Sequence, residues 1–263
     1  MLRLFIKKFV INAQVRCNMI AAAKWPIYPT IRRAFRIPHE KEFAAIPLFN
    51  VDKNSLFLDV GAHLGQSVDS IRLYAPESPI ISFEPNTILT EILRRKFKKD
   101  KNLVVEECAL GSTDSQATFF IPVYLRYAFT ELASTVRPNI EEFKRVIWNF
   151  KDKYFSIIEQ TWLIRRLDTF KLKPFFIKID GAVNKLEFVK GGLETLSNHK
   201  PIIMVEGVSY EGDLRKMLEP LGYQMYRYEK GQFIYHESLI YHAFLIPPLK
   251  MELLKQKGLL KAE

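Results

Sequence analysis

The sequence predicts an α/β fold built on a mostly parallel sheet, and three observations indicate it. Short apolar runs, each of a length suited to a buried strand, recur along the chain. Between these runs, apolar residues repeat at helical spacing. Hydrophobic residues make up 48% of the 263 residues and charged residues 26%, which excludes a wholly disordered chain. Alternating strands and helices give parallel strands with right-handed crossovers.

Each element of this alternation has its own signal. Five strands are predicted at residues 56–60, 79–83, 103–106, 175–179 and 202–205. Helical stripes begin at Leu64, Leu89, Leu186 and Leu214, after the first, second, fourth and fifth strands. Residues 223–228 and 232–236 flank a Lys-Gly turn, which predicts a hairpin, and 241–246 predict a further strand. The sheet should therefore end in an antiparallel edge.

The domain limits follow from where the alternation begins and ends. We expect a basic N-terminal helical segment at 1–50, a main domain at 51–248 and a terminal helix or tail at 249–263. Residues 124–162 break the alternation with two helix-like runs, at 140–150 and 154–162. They predict a helical insertion that caps the substrate site, the alternative being a structural lobe over the sheet.

The net charge of +10 is concentrated at the N-terminus, where residues 1–50 hold nine lysines and arginines against two glutamates. Within residues 1–23, Leu2, Phe5, Ile6 and Phe9 form a helical stripe, and Lys7 and Lys8 lie off it. This pattern indicates either an interfacial helix on an anionic membrane or a helix packed on the domain or on a dimer partner. No uncharged apolar run of about 18 residues is present, so a spanning helix is not expected.

Motifs and cysteine content also bear on a nucleic-acid partner and on the compartment. No zinc-finger spacing or RNA-binding motif accompanies the basic charge, so no nucleic-acid partner is expected. The two cysteines exclude a disulfide scaffold and indicate free thiols in a reducing compartment. The expected location is therefore the cytoplasm, with contact at the inner face of a membrane if residues 1–23 bind lipid. No oligomeric state is predicted.

A glycine-containing turn follows the first strand, in the order Asp59, Gly61, Gly65. Glycines let a ligand approach the backbone closely. The turn lacks the first glycine of the dinucleotide fingerprint and the Gly-Lys-Ser/Thr of a phosphate-binding loop. An aspartate at its start repels phosphate and suits a ligand that carries an ammonium group.

Two further signals follow the next strands. Glu84 ends the second strand, where an acid can accept hydrogen bonds from ribose hydroxyls. Residues 107–109 follow the third strand, where an adenine ring would lie. An ammonium group, a ribose and an adenine in this order across the strand ends describe S-adenosylmethionine.

At these residues the sequence resembles the FkbM family of S-adenosylmethionine-dependent methyltransferases. The matching pieces lie between about residues 55 and 207, in the family's order: 57–65, 83–86, 109–110, 166–169, 177–180, 186–191 and 205–206. The resemblance implies a class I methyltransferase fold, with a seven-stranded sheet and an antiparallel last strand. It also implies methyl transfer from S-adenosylmethionine, most often to a hydroxyl of a sugar, glycan or small natural product.

The resemblance also implies site residues. The cofactor-binding set would be Asp59, Gly61, His63, Gly65, Gln66, Glu84, Pro85, Asn86, Glu107, Cys108 and Ala109. Two departures stand out. His63 occupies a position where the family usually has asparagine. The family's Val-Glu-Gly-Ala after the fourth strand is Gly-Ala-Val-Asn here, at 181–184, so its glutamate has no counterpart. This loss predicts altered substrate choice or reduced activity.

Methyl transfer to a hydroxyl needs a base, and Asp180 at the end of the fourth strand is the first candidate. Lys178 can adjust its charge or bind an acidic substrate, and Glu206 ends the fifth strand. Ser134 and Thr135 are candidate substrate contacts. The alternative for each is a structural role, such as a loop-fixing carboxylate for Asp180. The five histidines show no metal-ligand spacing, so no metal site is expected.

Two competing functions remain open on the sequence. The first is a non-catalytic or altered cofactor-binding module that acts through the basic N-terminus at a membrane or in an assembly. The second is a nicotinamide-dependent oxidoreductase, which the missing glycine fingerprint disfavours.

Overall fold

A computed structural model of the chain describes residues 12, 35, 37–180, 183–208, 212–236 and 240–261. The chain forms two compact units, one of Arg36–Ser115 with Leu163–Glu263, and the other of Met1–Phe35 with Gln116–Trp162. None of the helices among the described residues is long and apolar enough to cross a membrane. The expectations for residues 1–23 fall outside the described residues, apart from Asn12.

The larger unit is built on one nine-stranded sheet. Its strands are β1 (Phe57–Val60), β2 (Ile80–Phe83), β3 (Leu103–Glu106), β8 (Phe176–Ile179), β9 (Ile202–Val208), β10 (Gln224–Glu229), β11 (Gln232–Tyr235), β12 (Ile240–Ile246) and β13 (Leu260–Lys261). Their order across the sheet is β13-β11-β10-β12-β9-β8-β1-β2-β3. The predicted α/β fold with a mostly parallel sheet is therefore confirmed.

Strand direction follows the expected scheme. Strands β3, β2, β1, β8 and β9 run parallel to one another. Strand β12 runs antiparallel between β9 and β10, which gives the seven-stranded class I arrangement with its reversed last strand. The predicted hairpin adds β11 beside β10, and β13 adds a ninth strand that the sequence analysis did not anticipate.

Helices cover both faces of this sheet. The larger unit has a 3-10 helix at Lys41–Phe49, then α1 (Gln66–Tyr74), α2 (Thr87–Lys96), α4 (Lys185–Gly191), α5 (Leu193–His199), α6 (Gly212–Leu218) and α7 (Pro248–Gln256). Side chains alternate along the strands, so Leu58 and Ile177 pack in one core while Phe57 and Phe176 pack in the other. The 3-10 helix contributes Phe43, Ile46 and Phe49 to the second core.

The smaller unit corrects the prediction of a helical insertion. It contains β5 (Ser115–Tyr124, whose first residue lies in the larger unit), β6 (Tyr127–Ala128), α3 (Ile140–Val146) and most of β7 (Phe155–Arg165). The first helix-like run is a short helix, but the run predicted as a helix at 154–162 is a strand. Its Phe155, Ile157, Thr161 and Trp162 are aromatic and β-branched residues that favour strands.

Strand β7 continues into the larger unit. There, its Ile164 and Arg165 pair with β4 (Ala109–Leu110). In the smaller unit, β5 and β6 form an antiparallel hairpin. Tyr124, Phe129, Phe143 and Ile147 form a core of its own there.

The last residue of α4, Gly191, lies close to the backbone of Gly111 in the larger unit. A Cβ added to Gly191 would collide with the carbonyl oxygen of Gly111. We therefore expect Gly191→Ala to lower the free energy of unfolding by about 1–3 kcal/mol, the usual cost of overpacking. Urea unfolding measures the change, with the exposed Ser197→Ala as the control. A loss no larger than that of the control would contradict this packing.

Candidate active site

The turn after β1 is held in a conformation that favours glycine. Gly61 and Gly65 have φ of 81° and 74°, in the left-handed region. A Cβ on Gly61 would lie 2.8 Å from the Cβ of Asp180, so the turn passes directly against the end of β8. Gly65 precedes α1, whose first residue is Gln66. His63 also has a positive φ, of 48°.

Glu84 ties this turn to the end of β2. One of its carboxylate oxygens accepts a hydrogen bond from the amide of His63 at 2.8 Å, and the other accepts one from the amide of Asn86 at 3.0 Å. Asn86 in turn caps α2 by accepting a hydrogen bond from the amide of Ile88. Glu84 thereby joins the glycine turn to the start of α2. Pro85 lies between Glu84 and Asn86 in the sequence.

The environment of Glu84 disfavours its ionised form. The carboxyl is buried, and burial raises the pKa of Glu84 to about 7. Hydrogen bonds from Asn86 and His63 lower the pKa, while nearby Asp59 and Asp180 raise it. A cationic ligand that stabilised the carboxylate would oppose this shift.

Asp59 lies deeper than the sequence analysis expected. It has no exposed surface and pairs in register with Lys178 on β8. Its Oδ1 is inaccessible to solvent and accepts no hydrogen bond from any residue that the structure describes. Burial raises the pKa of Asp59 to about 7, opposed by Lys178 and reinforced by Asp180 and Glu40. Asp59 is therefore enclosed by protein, and its contact with a ligand stays a prediction.

The structure brings Lys178 and Asp180 together at the end of β8. The Lys178 side chain is 2% exposed, and its Nζ lies 3.7 Å from Oδ2 of Asp180 and 3.5 Å from Oε1 of Glu40. Burial opposes the charge of Lys178, but the surrounding acids, Glu40 first among them, raise its pKa overall. Asp180 is 36% exposed, so its carboxylate can be reached from solvent.

Glu206 lies at the same edge of the sheet. It pairs in register with His242 across β9 and β12 and is half-buried. The acid of β9 and the lysine and acid of β8 therefore share the carboxyl edge with the glycine turn.

The residues expected at the adenine lie between β3 and β4. Glu107 accepts hydrogen bonds from Thr90 at 2.8 Å and from Arg94 at 2.9 Å. Cys108 is buried, and burial raises the pKa of its thiol to about 12, so it remains a thiol. Ala109 begins β4. Their contact with an adenine ring stays a prediction.

Two further predictions concern Ser134 with Thr135 and the segment 181–184. Ser134 and Thr135 lie in the smaller unit, where Oγ of Ser134 accepts a hydrogen bond from the amide of Val136 at 3.0 Å. Of the departure from the family motif at 181–184, residues 181 and 182 fall outside the described residues.

Sequence analysis missed Glu40 and His242. Oε2 of Glu40 lies 3.5 Å from Nδ1 of His242, and Oε1 of Glu40 faces Lys178. The two residues are about 200 positions apart, so no local spacing links them. Glu40 precedes the 3-10 helix that covers the face of the sheet on which Lys178 lies, and only the packing of that helix brings it to the site.

Comparison with known proteins identifies a family for this chain. Residues 59–225 match the model of the methyltransferase FkbM domain, which is more than half of the chain. No curated protein matches.

Several solved structures are similar. The FkbM methyltransferase from Methylobacillus flagellatus KT is 17% identical with a TM-score of 0.45, over 73% of this chain and 44% of that one. A putative caffeoyl-CoA O-methyltransferase from Staphylococcus aureus is 12% identical with a TM-score of 0.40, over 90% and 100%. PKMT2 from Rickettsia typhi, in complex with AdoHcy, is 14% identical with a TM-score of 0.34, over 64% and 24%.

The chain thus spans less than half the length of the Methylobacillus protein that it matches. The family match covers the end of β1, the glycine turn, Glu84, Asp180 and Glu206. The chain therefore belongs to the FkbM family of methyltransferases, which use S-adenosylmethionine as the methyl donor.

Proposed function

We propose that this methyltransferase acts on a hydroxyl oxygen of a sugar, glycan or small natural product. The observation that carries the proposal is the meeting of the Gly61 turn, Glu84 and Asp180 at one carboxyl edge of the sheet. A ligand on the turn would have its reacting end beside Asp180, because the backbone of Gly61 contacts that residue.

The residues present suit S-adenosylmethionine. Bound there, it would supply a methyl group on a positively charged sulfur. Gly61 and Gly65 would let it approach the backbone, and the buried, unsatisfied Oδ1 of Asp59 provides negative charge beneath the turn. Glu84 would accept hydrogen bonds from the ribose hydroxyls. The rest of the expected set, His63, Gln66, Pro85, Asn86 and residues 107–109, would line the methionine and adenosine parts.

Asp180 would accept the proton that the acceptor hydroxyl loses. When the acceptor oxygen is methylated, the Asp180 carboxylate would take up the proton of the hydroxyl. Lys178 would hold that carboxylate in place through its ammonium group, 3.7 Å away. Glu206 would complete the polar edge beside it.

The acceptor would be chosen by the 124–162 segment. Ser134 and Thr135 are our candidates for hydrogen bonds to its hydroxyls. The missing family glutamate after Asp180 favours an acceptor that differs from the family's usual one.

A second candidate function rests on the charge of the N-terminus. Nine lysines and arginines in residues 1–50 would attract an anionic membrane surface from the cytoplasm, and the protein would then work there as a cofactor-binding module. Co-flotation with anionic but not neutral liposomes supports this candidate, and its absence rejects it.

Calorimetric titration tests the cofactor part of the proposal. We expect the full chain to bind one S-adenosylmethionine and to give no saturable heat with NAD. Saturable NAD binding without a response to S-adenosylmethionine would overturn the proposal in favour of an oxidoreductase.

The pH dependence of the free protein and of cofactor binding should run in opposite directions. Asp59 and Glu84 have pKa values of about 7 in the folded chain, above those of the unfolded chain. The folded state therefore binds more protons between about pH 4 and 7, and the free energy of unfolding should fall as pH rises through this window. Affinity for the cationic cofactor should rise, because it favours both carboxylates.

Urea unfolding and calorimetry at pH 5.5 and 8 measure the two trends. Glu84→Gln should flatten both in part, since it removes one of the two titrating groups. If the free energy of unfolding and the cofactor affinity of the wild-type protein changed in the same direction with pH, or did not change, this electrostatic description of the two acids would be contradicted.

A further inference from the structure

A group of potential metal ligands lies near the start of β12, beside Lys178 of the candidate active site. It contains Glu40, which precedes the 3-10 helix, Glu42 in the first turn of that helix, and His242 on β12. One ligand atom from each of the three lies within 4.8 Å of the other two. Two carboxylates and an imidazole are therefore close enough to bind one ion.

The Glu40 carboxylate is a buried group with an unsatisfied oxygen. Its side chain is 8% exposed. Its Oε2 is inaccessible to solvent and accepts no hydrogen bond within the part of the chain that the structure describes. The neighbouring Nδ1 of His242 is 3.5 Å away, which is too long for a strong hydrogen bond. An oxygen buried in this way costs free energy unless it binds a hydrogen-bond donor or a cation.

The charges around Glu40 also favour the binding of a cation. Its carboxylate faces Lys178 on β8, His242 on β12, Glu206 on β9 and Glu42 on its own helix. Lys178 is in turn shared with Asp59 and Asp180. Lys185 also lies near Asp180 and Glu206. Among the residues that the structure describes, this group therefore holds five acids and two lysines.

Lys178 and a metal ion can bind different oxygens of the Glu40 carboxylate. Lys178 faces Oε1 of Glu40 at 3.5 Å, whereas Oε2 faces the imidazole. A carboxylate can bridge an ammonium group and a metal ion through its two oxygens.

We propose that Glu40, Glu42 and His242 bind a divalent transition-metal ion. Imidazole together with carboxylates suits Mn²⁺, Fe²⁺ or Zn²⁺ better than Ca²⁺. Three protein ligands leave coordination positions for water or for an oxygen of another molecule. All three residues lie outside the matched family segment 59–225, so the proposal rests neither on the family match nor on the proposed acceptor.

The experiment uses the full chain after treatment with a chelator and removal of that chelator. Calorimetric titration with MnCl₂, and separately with ZnCl₂, should show one ion bound per chain. His242→Asn and Glu42→Gln should each weaken binding at least tenfold, as expected for the loss of a ligand. His199→Asn is the matched control and should bind as the wild-type protein does.

Two results would overturn the proposal. One is the absence of saturable uptake of both ions up to about 1 mM. The other is equal affinity in the wild-type protein and in the variants that remain folded by thermal unfolding, which would indicate adventitious binding. Titration with S-adenosylmethionine on the metal-free protein is independent, so failure of the metal site and failure of the methyltransferase proposal are distinguishable.

Discussion

Asp180→Asn should slow methyl transfer by about 10²–10⁴-fold, the usual contribution of a positioned general base. Asparagine has nearly the same shape as aspartate but cannot accept the hydroxyl proton. The affinity for S-adenosylmethionine should change little, because the backbone of the turn and Glu84 remain. Single-turnover rates with saturating cofactor measure the effect.

The control for this prediction is Asp213→Asn, the same chemical change at an exposed residue of α6. It should leave the rate unchanged. Full turnover by Asp180→Asn would remove Asp180 as the base and leave Glu206 as the remaining candidate acid of this edge. Slower turnover together with a large loss of cofactor affinity would indicate a structural carboxylate.

Glu84→Ala should weaken binding of S-adenosylmethionine by about 1–3 kcal/mol, or roughly 5–150-fold. The substitution removes the proposed ribose acceptor. It also frees the amides of His63 and Asn86, so the glycine turn loses its link to α2. Calorimetry with the cofactor measures the loss.

Glu84→Gln separates the two contributions. Its single amide oxygen can still accept from one of the two backbone amides, so the turn should be partly retained while the carboxylate is lost. Glu91→Ala, at an exposed position on α2, is the control. Unchanged affinity in Glu84→Ala would contradict the placement of the ligand on this turn.

The sequence predicted the centre of the sheet well because strands such as β1 and β8 are buried on both faces. Continuous apolar runs marked β1, β2, β8 and β9 to within a few residues. The C-terminal hairpin followed from a Lys-Gly turn. Strand β13 was missed because two residues, Leu260 and Lys261, carry no periodic signal.

The errors in the fold have a common physical cause. Residues 154–162 were predicted as a helix from their apolar content, but their aromatic and β-branched side chains suit a strand that pairs with distant residues. The helix predicted from Leu186 is two helices, α4 and α5, with Gly192 between them, and Gly191 at the end of α4 packs against the backbone of Gly111. Contacts of this range have no local sequence pattern.

Some residues of the candidate site could be predicted from the sequence and others could not. Asp59, Gly61, Glu84 and Asp180 follow from the rule that parallel strands end at one edge, where ligands bind. Glu40 and His242 do not, because a covering helix and a reversed strand bring them to that edge. The burial of Asp59 could not be predicted from the sequence either, because it depends on the register of β1 with β8, in which Asp59 pairs with Lys178.

The most direct test of the proposed function is methyl transfer itself. The full chain would be incubated with methyl-labelled S-adenosylmethionine and a panel of sugars and glycolipids, with and without added Mn²⁺. We expect label in at least one acceptor as a new O-methyl ether, and none with Asp180→Asn on the same timescale. Label on nitrogen or carbon, or cofactor binding without transfer to any hydroxyl of the panel, would contradict the proposal.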